Sequence, residues 1–128
     1  CLTIEELEFM HIRKTGALIR ASVLLGAHCG EADEPSLKAL TRYANRVGLL
    51  FQVVDDILDA EGDTEVLGKT AGKDAACNKP TYVSLLGLGQ AKQQAAELHA
   101  EAKAALVSFG DRARYLQGLT DYIVQRTY

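Results

Sequence analysis

The stretch Asp55-Asp56-Ile57-Leu58-Asp59 sets three carboxylates within little more than one helical turn. Asp55 and Asp59 stand four residues apart and share a helix face, with Asp56 beside them. At ~100° per residue, Gly48, Gln52, Asp55, Asp56 and Asp59 fall on one arc roughly 100° wide. The flanking Leu49, Leu50, Val53 and Ile57 are apolar. Like charges this close destabilise a helix, and apolar surroundings raise the cost by pushing up each other's pKa. A divalent cation removes the conflict. Oxygen donors suit Mg²⁺, which keeps several waters and shares its shell with phosphate groups.

Lysines accompany the aspartates. Lys14 occupies the slot between Met10 and Ala17 on an otherwise apolar stripe, which reads as core-facing. Lys69, Lys73 and Lys79 lie in a glycine-rich stretch after the acidic segment, where backbone N–H groups can approach an anion closely. Carboxylates for a metal and lysines for phosphates together describe a pocket for a diphosphate.

Helices must position these groups. Leu and Ala are abundant, Val and Ile together are not, and Pro occurs twice, which favours helix over sheet. Thr3-Ile4-Glu5-Glu6 is a capping box opening a first helical segment. Gly16, two residues past Lys14, predicts a break near 13–16, and Gly26 and Gly30 end the segment. Pro35 suits the start of the next helix, expected from about 36 to 60, whose apolar flanks pack only in part within this chain. Residues 61–80 are the least regular, with a short turn at 64–67. A short helix is expected over 81–87 and a long one over 88–109. Gly110 stops the latter, and Asp111 caps a last helix over 112–126. Tyr43, Tyr82, Tyr115 and Tyr122 read as core or rim packing, and His11, His28 and His99 as surface or capping residues. No repeat or domain boundary interrupts residues 1–128, so the chain reads as part of a single all-α domain.

Composition narrows the function classes. The chain has 128 residues, 24% charged, and a net charge of −3, with its charges scattered, which argues against a nucleic-acid binder. No apolar run reaches the ~18 residues of a membrane span. Cys1, Cys29 and Cys77 are odd in number and lack C-x-x-C spacing, so neither a thiolate zinc site nor a disulfide scaffold is expected, and a reducing cytoplasm is. The opening Cys1-Leu2-Thr3, without Met, reads as a piece of a longer chain. Gly62 to Thr70 imitates a P-loop, but five residues separate its glycines where four are needed, and an acidic helix precedes it in place of a strand. Asp59 to Asp63 hints at an EF-hand, but Gly62 at loop position 6 would put Ile57 and Gly68 at the two end ligands.

Three groups of residues carry a resemblance. Lys14-Thr15-Gly16, Phe51-Gln52-x-x-Asp55-Asp56-x-Leu58-Asp59, and Gly68-Lys69-x-x-Gly72-x-Asp74-x-x-x-x-Lys79-x-Thr81 occur in this order and spacing. They resemble the short-chain trans-prenyltransferases, most closely the bacterial farnesyl diphosphate synthases (geranyltranstransferases). The resemblance covers the whole chain but only the C-terminal half of that family. The family's first aspartate-rich motif and its arginine pair lie upstream of the matched part.

The resemblance implies an isoprenoid synthase-type bundle of helices around a deep cavity. It implies Mg²⁺-dependent condensation of an allylic diphosphate (dimethylallyl or geranyl diphosphate) with isopentenyl diphosphate to farnesyl diphosphate, in a cytoplasmic homodimer. On the matching positions, Asp55 would be the main Mg²⁺ ligand, and Asp56 and Asp59 would hold metal-bound water. Lys14 and Lys69 would bind the allylic diphosphate, and Lys79 would lie close to it. Thr15 and Gln52 would aim oxygen dipoles at the developing cation, and Phe51 would face isopentenyl diphosphate. Arg126, the only cation of the tail, would stand for the basic tail that helps many members bind that substrate. The chain without its upstream half is expected to be inactive. The rival reading is a non-catalytic α-helical interaction module whose acidic arc is surface charge. Terpene cyclases fit less well, because their Asn/Ser/Glu second metal motif is missing.

Overall fold

The computed structural model describes residues 2–67 and 80–127, with the backbone alone over 63–67. Every regular element among the described residues is helical. In chain order these are α1 (Ile4–Arg13), α2 (Thr15–Cys29), α3 (Glu34–Leu67), α4 (Tyr82–Leu86), α5 (Leu88–Ala105), a 3-10 stretch (Val107–Ala113) and α6 (Arg114–Gln125).

The capping box forms as the sequence predicts. Glu6 N–H donates to Thr3 Oγ1 at 3.2 Å, and Thr3 N–H donates to Glu6 Oε2 at 2.8 Å. The break also falls where expected, since Lys14 is non-helical (φ −93, ψ −99) and α2 starts at Thr15. A Cβ on Gly16 would lie 3.0 Å from the carbonyl oxygen of His11, so a side chain there would press that carbonyl back by a few tenths of an ångström. Gly16 also meets α3, because a Cβ on Gly48 would touch the Gly16 Cα at 3.5 Å. That crossing seats the Lys14-Thr15-Gly16 segment on α3.

The acidic helix is longer than expected. Asp33 Oδ1 accepts from Ser36 N–H at 3.0 Å and closes its start, where Pro35 costs no hydrogen bond. At its far end the helix passes Gly62, a cost of only about 1 kcal/mol, and runs to Leu67. The last helix begins at Arg114 without a side-chain cap, contrary to the expected Asp111 cap. Gly110, at φ +58, reverses the chain inside a 3-10 stretch that continues to Ala113. The carbonyl of Asp111, rather than its carboxylate, then accepts the Arg114 N–H.

α3 is the axis of the bundle and packs on each of the other α-helices. The core takes Leu7 from α1, Tyr43, Leu50 and Val53 from α3, Tyr82 from α4, and Leu98 from α5. Tyr43 ties α3 to α6, its hydroxyl donating to the Leu116 carbonyl at 3.1 Å and lying 3.1 Å from Thr120 Oγ1. Leu49, Leu50, Val53 and Ile57 are all buried, so the flanks of the acidic arc are covered within the chain. The large exposed apolar side chains on the first two helices include Phe9, Leu18 and Leu25. Among the described residues no helix is long and apolar enough to cross a membrane.

Candidate functional site

The break at Lys14, the middle of α3 and the end of α6 meet at one place. α2 crosses α3 at Gly16 and Gly48, which sets Thr15 near the turn of α3 carrying Phe51. Thr15, Ile19, Val47, Phe51, Ile123 and Arg126 help wall a mostly apolar cavity of about 510 Å³. A cavity with such walls keeps reactive carbon away from water.

Arg126 is the cation at this cavity, and its side chain is only 10% exposed. Its Nη2 donates to the carbonyl oxygen of Phe51 at 3.2 Å, and its guanidinium lies 4.3 Å from the centre of the Phe51 ring. The same nitrogen is 3.8 Å from Asp55 Oδ1, whose side chain is half exposed. Its Nε is buried without a partner among the described residues. On its other side is a second cavity of about 670 Å³, where Lys92 and Glu61 pair at 2.7 Å.

The three aspartates have different surroundings. Asp55 is half-buried and Asp59 exposed. Asp56 turns toward α4, where its Oδ2 accepts the Tyr82 N–H at 2.9 Å. Burial pushes the Asp56 carboxyl up to about 6; the Tyr82 bond opposes that shift, and Asp55 and Asp59 add to it. Among the described residues no three His, Cys, Asp or Glu are grouped to hold a metal ion. Mg²⁺ needs only one or two protein carboxylates when waters and phosphate oxygens complete its shell, and Asp55 with Asp59 on one face fits that requirement.

Lys14 differs from its sequence reading. It is exposed and does not face the core. The break at its own backbone takes it out of the stripe that an unbroken helix would have continued. Lys14 and Asp55 nevertheless act on the charge of the same residue, His11. Burial holds the His11 imidazole below its usual value, Lys14 adds to that, and Asp55 acts in the opposite direction. Gln52 is half-buried on α3, one residue past Phe51. Lys69, Lys73 and Lys79, with their glycines and Asp74, lie outside the described residues.

His11, read from the sequence as a surface or capping residue, is instead partly buried beside the site, against Tyr82, which is in the core as expected. His11 stacks on the ring of Tyr82, with centroids 5.6 Å apart and planes 16° apart. Tyr82 is fully buried, and both its hydroxyl and His11 Nε2 lack a partner among the described residues. No spacing rule links positions 11 and 82, so only the fold reveals the pair. Tyr115 and Tyr122 are largely exposed, unlike the core tyrosines Tyr43 and Tyr82.

Comparison with known proteins gives a consistent answer. The sequence profile described as "Polyprenyl synthetase" matches residues 1–108. "Geranylgeranyl pyrophosphate synthase, chloroplastic" of Capsicum annuum is 52% identical over 126 residues, 98% of this chain and 34% of that protein. "Dimethylallyltranstransferase" of Fischerella ambigua is 46% identical over 127 residues, 99% of this chain and 37% of that protein. A crystal structure of an FPP/GFPP synthase from Zymomonas mobilis superposes with a TM-score of 0.81 at 36% identity, over 96% of this chain and 39% of that one. The chain thus spans little more than a third of the length of the curated relatives it matches.

Proposed function

The chain belongs to the polyprenyl synthetase family, and we propose that it forms the part of a trans-prenyltransferase that holds the leaving diphosphate. The reaction joins an allylic diphosphate to isopentenyl diphosphate. The allylic C–O bond breaks, and diphosphate leaves with the bonding electrons. The isopentenyl double bond attacks the cation, and loss of a proton restores a double bond in a product five carbons longer.

Supporting this reading is the convergence of Thr15, Phe51 and Arg126 on one apolar cavity with Asp55 3.8 Å from Arg126. Asp55 would hold Mg²⁺ directly, and Asp56 and Asp59 would hold metal-bound water. The ion would supply positive charge to offset the charge that grows on the diphosphate as it leaves. Lys14 and Lys69 would bind the allylic diphosphate, and with Lys79 they would stabilise the same charge more in the transition state than in the ground state. Thr15 and Gln52 face oxygen dipoles to the cation, and Phe51 lies on the isopentenyl side. A homodimer belongs to the same reading, supported by the exposed apolar Phe9, Leu18 and Leu25. A reducing compartment such as the cytoplasm also fits, supported by the free thiol of Cys29.

Farnesyl diphosphate is the product we infer from the motifs. Geranylgeranyl diphosphate is the second reading, favoured by the name of the 52% identical pepper relative. Incubating the active protein with labelled isopentenyl diphosphate and dimethylallyl, geranyl or farnesyl diphosphate separates them. A fifteen-carbon end point supports the first reading, and efficient extension of farnesyl diphosphate the second. No transfer with any primer, with Mg²⁺ present, would leave the interaction-module reading in place.

A further inference from the structure

Charges that lie scattered along the sequence are gathered by the fold at a second place. Arg20 of α2 and Lys38, Arg42 and Arg46 of α3 line one groove of about 400 Å³. The three α3 cations recur every four residues, so they stand in a row on one face, about 6 Å apart along the axis. Ile12 and the buried Leu49 give the groove an apolar part, and Asn45 adds a side-chain amide. The groove is remote from the aspartate motif. At a rise of about 1.5 Å per residue, Arg42 and Asp55 are roughly 20 Å apart along α3.

Like charges four residues apart on a helix repel. Carboxylates answer only part of this charge. Arg46 pairs with Glu101 of α5 at 2.9 Å. It also acts to lower the Glu8 carboxyl of α1, which burial and Glu5 raise. Lys38 lies 3.8 Å from Glu34, and the two side chains are 80% and 83% exposed, so this pair contributes little. Arg20 and Arg42 have no ion pair among the described residues, and Arg20 is half-buried. Within a chain of net charge −3, the groove is a positive site with two uncommitted guanidinium groups.

The donors select among anions. Guanidinium groups present forked N–H pairs that match phosphoryl oxygens. The Thr41 hydroxyl already donates to the Leu37 carbonyl oxygen at 2.7 Å, which leaves the cations and the Asn45 amide to meet a ligand. Donors that come from two helices suit an anion with two phosphoryl groups better than chloride or a lone carboxylate. The site is also concave, whereas a bilayer surface is flat and meets cations that protrude.

We propose that this groove is a second anion site, which binds a soluble diphosphate group between Arg20 of α2 and Arg42 of α3. The assignment stands apart from the prenyl-transfer reading, because it uses none of the residues placed in that reaction.

The test is the reaction of the intact protein with phenylglyoxal, which modifies accessible arginines, followed peptide by peptide in a mass spectrometer. Inorganic diphosphate is the probe, and EDTA keeps metal out of the aspartate site. Arg20 and Arg42 are expected to react freely without diphosphate and to be slowed roughly 10-fold near saturation. Arg114, exposed on α6, keeps its rate. In Arg42→Gln, the diphosphate concentration that half-protects Arg20 rises roughly 10-fold or more, the loss of one charge-assisted hydrogen bond. Arg42→Lys recovers part of that loss. Four results overturn the proposal. Arginines unreactive from the start would mean that protein covers the groove. Equal protection by sodium chloride at matched ionic strength would reduce it to screened surface charge. Protection by phosphatidylserine vesicles but not by diphosphate would make it a membrane-facing surface. An unchanged half-protection of Arg20 in Arg42→Gln would show that the two arginines do not share a ligand.

Discussion

Arg126 holds Phe51 twice, from Nη2 to its carbonyl oxygen at 3.2 Å and from the guanidinium to its ring at 4.3 Å. The last turn of α6 is thereby tied to the turn of α3 that precedes the aspartates. A nearly buried cation in this arrangement stabilises the fold by the ring contact and by a charge-assisted hydrogen bond. Arg126→Met should lower stability by about 1–3 kcal/mol, read from denaturant unfolding. Arg126→Lys should recover only part of the loss, because an ammonium cannot stack flat on the ring while also meeting the carbonyl. An unchanged unfolding midpoint in Arg126→Met would show that the tail is not anchored there.

Tyr82 carries a cost that can be removed. Its hydroxyl is buried without a partner among the described residues. Tyr82→Phe keeps the ring under His11 and the N–H on Asp56, and discards the stranded oxygen. Stability should rise by about 1 kcal/mol in equilibrium unfolding. A fall of that size would mean that the hydroxyl has a partner.

His11 should give the chain a dependence on pH. Its imidazole is held below the usual 6.5 by burial first and Lys14 second, against Asp55. The unfolded chain therefore binds more protons at this position below pH 6.5, and stability falls as pH drops through 6.5 until the folded value is passed. Asp56 slopes the other way. Its carboxyl rises from 3.8 to about 6, so its contribution is full below 3.8 and lost as pH rises through about 6. Comparing wild type with His11→Phe isolates the histidine. The variant should gain on wild type as pH falls from 7.5 to 5.5 in urea midpoints, and a constant difference would contradict the burial of His11.

The fold was legible where side-chain chemistry is local. The Thr3–Glu6 capping box, the break at Lys14 and the 3.6-residue stripe of α3 each follow from residues within a few positions of one another. Features that depend on tertiary partners were not legible. Lys14 looked core-facing from the apolar stripe of α1, but its own backbone is non-helical and its side chain is exposed. Asp111 has the right chemistry for a cap, but its backbone carbonyl takes the Arg114 N–H and no side chain caps α6. The acidic arc was readable as a pattern, yet the bond of Asp56 to the Tyr82 N–H spans 26 residues along the chain. Arg126 had no sequence signal beyond its charge, because its contacts with Phe51 span 75 residues.

The central claim is that Asp55 and Asp59 hold the metal that receives the leaving diphosphate. The most direct test is the kcat of Asp55→Ala and Asp59→Ala for prenyl transfer, each titrated with Mg²⁺ in the active protein. Asp55→Ala is expected to lose roughly 100-fold or more, since it removes a direct ligand. Asp59→Ala is expected to lose roughly 10-fold and to recover partly at high Mg²⁺, since it acts through water. Small and equal losses in both, with an unchanged Mg²⁺ dependence, would contradict the account.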